Sequence, residues 1–340
     1  MRNNRGIKAK TATQLAALCA LLVLGPVLSC SCKPKPLPKA VPVTMAVGML
    51  PLTSLAIIAD HERLFSREGV ALTVKKCATG VVAMDALLAG DAQIAVAGDT
   101  PVVFGSLKRR DFRILACVAS WDNDVTIVAR KDSGVVRPAD LKGKRVATQK
   151  TSVAQFFLHM FLLKHDLLEK DVTICYMPQA EFPQALARGD VDAASVREPF
   201  ASQATALLGT NAATFEEPGL YVEYYNLVAS DRFLKEQPET ARRIVRALLA
   251  AETFAKSKPQ RAMAIVARTV SMPEPALRRL WPRLDLRVRL SQSLLVALED
   301  QARWAIGDHL AEKVAMPNYL QLVHLDTMLA VKPSAVSIIR

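Results

Sequence analysis

The stretch Ala86-Leu87-Leu88-Ala89-Gly90-Asp91-Ala92-Gln93-Ile94-Ala95 recurs ninety-nine residues later as Ala185-Leu186-Ala187-Arg188-Gly189-Asp190-Val191-Asp192-Ala193-Ala194. Each copy reads as the end of a helix, a glycine suited to the left-handed position just past it, and a short buried strand. An acid and a proline follow both copies, as Asp99-Thr100-Pro101 and as Glu198-Pro199. Proline fits the first turn of a helix, so each copy leads from strand through a loop into a new helix. Two such units a hundred residues apart imply two similar lobes. Each presents helix starts at the C-terminal edge of its sheet, where open α/β sheets bind ligands.

The surrounding pattern agrees. Short apolar runs at Val43 to Val47, Ala71 to Val74 and Gln93 to Ala97 alternate with helical stretches at Leu52 to Phe65 and Val81 to Ala89. Strands alternating with helices predict parallel βαβ units and an α/β fold. Beyond residue 230, Pro238 to Lys256, Pro259 to Val270, Pro273 to Leu280 and Gln292 to Ile306 read as consecutive helices. Two further strands, Thr126 to Ala129 and Asn226 to Ala229, each end in a polar turn. They are expected to bracket a second lobe at 131–230, with 42–130 and 231–340 forming the first and a two-strand hinge between them.

Residues 1–40 carry seven Lys or Arg and no acid, which leaves 37 basic against 32 acidic residues in the rest. The formal +12 is thus largely a property of the leader, and the body is only mildly basic. A basic start followed by the apolar run Leu15 to Leu28 predicts a signal peptide over 1–29. That run is too short for a membrane span, which needs about 20 residues. It ends in Val27-Leu28-Ser29-Cys30, which resembles a bacterial lipoprotein cleavage box with Cys30 as the lipidated residue. Residues 30–41, with Pro34, Pro36, Pro38 and three lysines, predict a semi-rigid tether beside a membrane. Cys77, Cys117 and Cys175 lack metal-like spacing and read as mostly buried thiols, leaving room for one disulfide whose pairing the spacing does not choose.

Catalytic and metal signatures are missing: there is no Walker loop, and His61-Glu62 has no second histidine of a zincin helix. His159 and His165 are six apart and face nearly opposite ways on a helix. The basic clusters at Lys108 to Arg110, Arg278-Arg279 and Arg283 to Arg289 lack interleaved aromatics and predict no nucleic-acid partner.

Several segments together resemble a known family. Ala59 to Val70, Gly90-Asp91, Gly98-Asp99-Thr100-Pro101, Ala139 to Ala147, Gly189 to Ala193 and Arg197-Glu198-Pro199 stand in the order and spacing of type II periplasmic solute-binding proteins. The similar group serves nitrate, taurine, alkanesulfonate and thiamine-precursor ABC importers. The resemblance implies a bilobal fold of two parallel-sheet lobes, a two-strand hinge and a helical C-terminal region. It also implies a non-enzymatic, monomeric, extracytoplasmic lipoprotein that captures a small molecule and delivers it to a permease and its ATPase, with no cofactor or metal.

In that family the cleft is lined by the loop after the first strand, here Gly48 to Ser54 with Leu52 and Thr53, and by helix starts. Gly80, Thr100, Thr151 and Ser152 stand at such starts, as ligand contacts or as plain caps. Asp99 and Glu198, at equivalent places in the repeat, either accept hydrogen bonds from a ligand or cap the following helices. Trp121 and Asp122 offer stacking and polar contact. Arg197 stands where relatives often carry an aromatic residue, and its planar fork would suit a carboxylate, sulfonate or phosphate. The expected ligand is a small organic anion resembling a sulfonate, taurine or nitrate. The alternatives are a thiamine-precursor pyrimidine or other heteroaromatic, or an enzyme on the same fold.

Overall fold

The computed structural model describes residues 41–122, 124–311 and 315–339. The expected signal peptide, Cys30, the tether up to residue 40, and Asn123 lie outside the described residues.

The first lobe opens with β1 (Val41–Gly48), α1 (Ser54–His61), α2 (Leu64–Arg67), β2 (Val70–Cys77), α3 (Gly80–Leu88), β3 (Ile94–Gly98), α4 (Asp99–Lys108) and β4 (Phe112–Trp121). The second holds β5 (Val125–Arg130), β6 (Arg145–Thr148), α5 (Val153–Lys164), β7 (Thr173–Tyr176), α6 (Phe182–Arg188), β8 (Ala193–Arg197), α7 (Phe200–Leu208) and β9 (Ala212–Phe215). The chain returns through β10 (Glu223–Ser230), followed by α8 (Asp231–Glu236), α9 (Pro238–Ser257), α10 (Pro259–Thr269), α11 (Glu274–Leu280), α12 (Gln292–Gly307), α13 (Tyr319–Leu322) and α14 (Leu325–Val331). The long helix expected from Leu52 breaks at Arg63, which takes a left-handed φ of 55° between α1 and α2.

Strand order is β2-β1-β3-β10-β4 in one sheet and β7-β6-β8-β5-β9 in the other. β10 runs antiparallel to both its neighbours, and so does β5. The remaining pairs are parallel, so each sheet has four strands in one direction and a single reversed one. Both sheets are therefore mixed rather than wholly parallel. The reason is topological: each reversed strand has just arrived from the other lobe. It enters its sheet at the C-terminal edge facing that lobe and can only run back.

This pairing also moves the expected lobe boundaries. The division at 130/131 and 230/231 placed β5 with the first lobe and β10 with the second, whereas backbone pairing puts them the other way round. The chain crosses between Trp121 and Val125 and returns between Phe215 and Glu223.

The turns of the repeat are realised with matching hydrogen bonds. Gly90 and Gly189 take φ values of 85° and 79°. Gly90 N–H donates to Leu87 and Asp91 N–H to Ala86; Gly189 N–H donates to Leu186 and Asp190 N–H to Ala185. The strands that follow, β3 and β8, are buried at every residue. Helices cover both faces of the second sheet, and its strands alternate between two apolar clusters accordingly. Ile127, Ala129, Val146 and Ala193 pack against α5, while Val128, Ala147 and Ala194 pack with Phe182 and Leu186 of α6. The C-terminal helices join the core of the first lobe, through Ile244, Leu248, Leu298 and Trp304 among others. Pro238 and Pro259 open α9 and α10, as the sequence pattern expects. Among the described residues no helix is long and apolar enough to cross a membrane.

Candidate functional site

The C-terminal edges of the two sheets face each other across a narrow cleft. The first lobe contributes Thr79, Gly80 and Gly98, and the second contributes Gln149, Ser152, Gln179 and Arg197. Glu223 and Tyr225, at the start of the returning strand, close the floor. The remaining space is about 10 Å³, room for roughly one water, so the lobes stand nearly closed. A larger cavity, about 780 Å³, lies at the opposite end of the first sheet beside Thr44, Gly90 and Ser230. In α/β sheets that is the edge away from ligand sites.

Charge dominates the floor. Arg197 is buried, and its Nε and Nη2 donate to Asp124. Nη2 also donates to Glu223, and Nη1 donates to the Tyr225 hydroxyl at 3.3 Å. Its guanidinium sits 5.7 Å from the centre of the Tyr225 ring. Asp124 and Glu223 are themselves buried. Behind them lies Asp99, fully buried, which accepts from Tyr221 Oη, from Tyr224 N–H at 3.0 Å and from Thr100 N–H at 2.8 Å. Tyr221 Oη in turn accepts from Gln301 Nε2 at 3.0 Å. Burial, and then the negative charge of Glu223, push the Asp99 carboxyl up to about 7. Burial raises Glu223 as well, against the opposing pull of Arg197. Two carboxylates thus face one guanidinium where water screens them little, with the Asp99 carboxyl behind them.

The glycines on the first-lobe wall are there for space. A Cβ at Gly98 would lie 2.8 Å from Glu223 Oε1, and one at Gly80 would lie 2.8 Å from the Tyr225 hydroxyl. Neither backbone calls for glycine's left-handed freedom: Gly98 has φ −64°.

The expected site residues divide. Gly80, Ser152 and Arg197 line the cleft, and Trp121 and Asp122 line an adjoining hollow with Asp124 and Glu223. Leu52, Thr53, Asp99, Thr100, Thr151 and Glu198 line neither. Thr53 is buried, donating to Gly48 and Leu50 carbonyls at 2.7 and 2.8 Å. Thr151 holds a left-handed φ of 58°, unusual for a β-branched residue, and its N–H donates to Gln155 Oε1 at 2.8 Å. Ser152 stands at the N-cap of α5, yet its hydroxyl donates to the Gln149 carbonyl at 2.6 Å. Glu198 caps its own helix, accepting from Ser202 Oγ at 2.7 Å and from Ser202 N–H at 3.2 Å. Arg197 is in place, but the geometry does not leave it free for an anion: every nitrogen of its fork already donates inside the protein.

A second cluster sits where the lobes meet. His159 Nδ1 on α5 lies 3.2 Å from Glu169 Oε1 and 3.1 Å from Asp308 Oδ2, just past α12. These three donor atoms lie within 4.8 Å of one another. They tie the second lobe to the C-terminal helices, next to the Phe156–Trp304 ring contact at 5.1 Å. Cys77 and Cys117 are buried and Cys175 is half-buried; all three are free thiols.

The family model described as "NMT1/THI5 like" matches residues 53–262. The chain belongs to this family. A putative aliphatic sulfonates-binding protein of Bacillus subtilis (strain 168) is 28% identical over 186 residues, 54% of this chain and 56% of that one. The taurine-binding periplasmic protein of Escherichia coli (strain K12) is 26% identical over 145 residues, 42% and 45% of the two chains. The matches therefore span about half the length of these curated relatives. Among solved structures, the alkanesulfonate-binding protein SsuA from Xanthomonas axonopodis pv. citri bound to MOPS superposes with a TM-score of 0.71. It shares 22% identity and covers 88% of this chain and 98% of its own. The desulfurization enzyme DSZB superposes at 0.63 with 16% identity, covering 86% and 99%. These likenesses establish the bilobal fold, in agreement with the resemblance read from the motifs.

For this NMT1/THI5-like chain, sequence reasoning missed Asp124, Gln149, Gln179, Glu223 and Tyr225. Asp124 stood in the open, in the polar run after the apolar strand that ends at Trp121. Glu223 gave no local signal. It reaches the cleft because it pairs with Trp121 in the first sheet.

Proposed function

We propose that this chain is the solute-binding component of an ABC importer and holds a small molecule between its lobes. The carrying observation is the cleft itself, walled by both lobes at the C-terminal edges of both sheets and crossed by only two connections. Contacts from both walls exist together only when the lobes close, so a ligand there shifts the open–closed equilibrium, and a permease with its ATPase reads the closed form. The relatives named for sulfonates and taurine support an extracytoplasmic location and this class of role. On this reading residues 1–29 export the chain, Cys30 carries the lipid, and the protein acts as a monomer without a cofactor.

Fold alone would also suit an enzyme, given the likeness to DSZB. Against that stands the cleft lining, which has no histidine or cysteine to act as base or nucleophile.

The test is a thermal-shift screen of sulfonates, taurine, nitrate, carboxylates and pyrimidines, alongside native mass spectrometry of the protein as purified. A true ligand at a hundred times its Kd stabilises by about 2.7 kcal/mol. A flat response to every class with no retained molecule would sink the reading, and turnover of a bound molecule would replace it with the enzyme.

A further inference from the structure

The cleft contains buried acceptors with nothing to accept. Glu223 Oε1, Gln149 Oε1 and Gln179 Oε1 all lack a hydrogen-bond partner, and all three residues line the same small cavity. Glu223 and Gln179 are 1% and 2% exposed, so these atoms sit away from bulk solvent. Gln149 Nε2 faces Thr79 Oγ1 at 3.4 Å, which leaves its oxygen as the free end. The space beside Glu223 Oε1 exists because residue 98 has no side chain.

The cation on the same surface is already engaged. Arg197 uses its nitrogens on Asp124, Glu223 and Tyr225. Asp124 and Glu223 both pair with it, so its single charge is already taken up. An anion entering beside Glu223 would meet its carboxylate and bare amide oxygens and find no free side-chain cation, only the N–H groups of the helix starts at Gly80 and Val153.

On the reading that the cleft holds a solute, we infer that the group this solute sets against Glu223 is a nitrogen-borne hydrogen-bond donor, an ammonium or a heteroaromatic amino group. Glu223 Oε1 accepts from it, with Gln149 and Gln179 as the neighbouring acceptors. Any acidic part of the solute then lies away from this floor. A site built around unpaired acceptors discriminates by what happens in the absence of the donor: a ligand lacking it leaves those oxygens buried and bare.

The experiment is isothermal titration calorimetry on the full chain with pairs of probes that differ only in the amine: taurine with ethanesulfonate, and 4-aminopyrimidine with pyrimidine. The amine-bearing member of a pair should bind about ten-fold tighter or more, and Glu223→Gln should shrink that gap to about two-fold. Gly98→Ala keeps every charge but fills the space beside Oε1, and should weaken the same member, which guards against a Glu223 variant that merely misfolds. If ethanesulfonate or pyrimidine binds as tightly as its amine partner, this inference falls and solute binding stands. A retained solute without an N–H donor overturns it equally. Silence from all four probes defeats this inference, and solute binding falls with it only if the wider screen is also flat and no molecule is retained.

Discussion

Gly98-Asp99 and Arg197-Glu198 occupy the same place in the two lobes, at the end of a fully buried strand and the start of a helix. The preceding turns share the same hydrogen bonds, yet the two ends are used in opposite ways. In the first lobe the strand ends in bare backbone and the acid is buried, bonded to Tyr221, Tyr224 and Thr100. In the second lobe the strand ends in a long cation and the acid is left at the surface to cap Ser202. Arg197 reaches across the cleft to Glu223, whose Oε1 lies in the space beside Gly98. The first lobe thus supplies an acceptor and the second the cation that meets it, which a symmetric pair of ends could not do.

Arg197→Leu should break this comparison most severely. It strips the cation from Asp124 and Glu223 and leaves two carboxylates buried, a loss of about 3–5 kcal/mol. Denaturant unfolding would measure it, and a loss below about 1 kcal/mol would mean that the cluster is solvated.

Asp99→Asn tests the other acid through pH. Because the folded protein holds the Asp99 proton up to about pH 7, well above the usual carboxylate value, it binds more protons than the unfolded chain between those limits. The stabilisation is present in full below about pH 4 and lost by about pH 7, on the order of a few kcal/mol. Glu223, also raised, adds to the same trend. The unfolding free energy of Asp99→Asn should fall less steeply with rising pH than that of the parent. Parallel curves would show that Asp99 titrates normally.

Gly98→Ala should be milder, costing about 1 kcal/mol, since the obstructing atom is the end of a side chain that shifts slightly. A larger loss of stability would show that Glu223 is held too firmly to shift. Glu198→Ala should be the smallest, within about 0.5 kcal/mol, because the cap it supplies is exposed. If its thermal unfolding matched that of Arg197→Leu, the two acids would not differ as described.

The tie between lobes through His159 follows the same logic of position. Helix spacing excludes a shared metal between His159 and His165. It says nothing about Glu169 and Asp308, which come from a turn in one lobe and a helix end in the other. Similarly, the rhythm of strands and helices was legible up to residue 230, but the assignment of β5 and β10 to sheets was not. A strand's apolar run is the same whichever sheet receives it.

The sequence by itself determined the repeat, the glycine-terminated helices, the buried strands, the proline-opened C-terminal helices and the family. These follow from backbone hydrogen bonding and apolar periodicity within a few residues, and both are written locally. Only the tertiary structure decided the character of the cleft. Asp124 and Glu223 lie 73 and 26 positions from Arg197, and their charges act on it only because two crossings bring three segments together in a dry space. Arg197 looked like a receptor for an anion while it stood alone in the sequence. Its partners, set by strand pairing rather than by neighbours in the chain, turned the same residue into the counter-ion of an acidic floor.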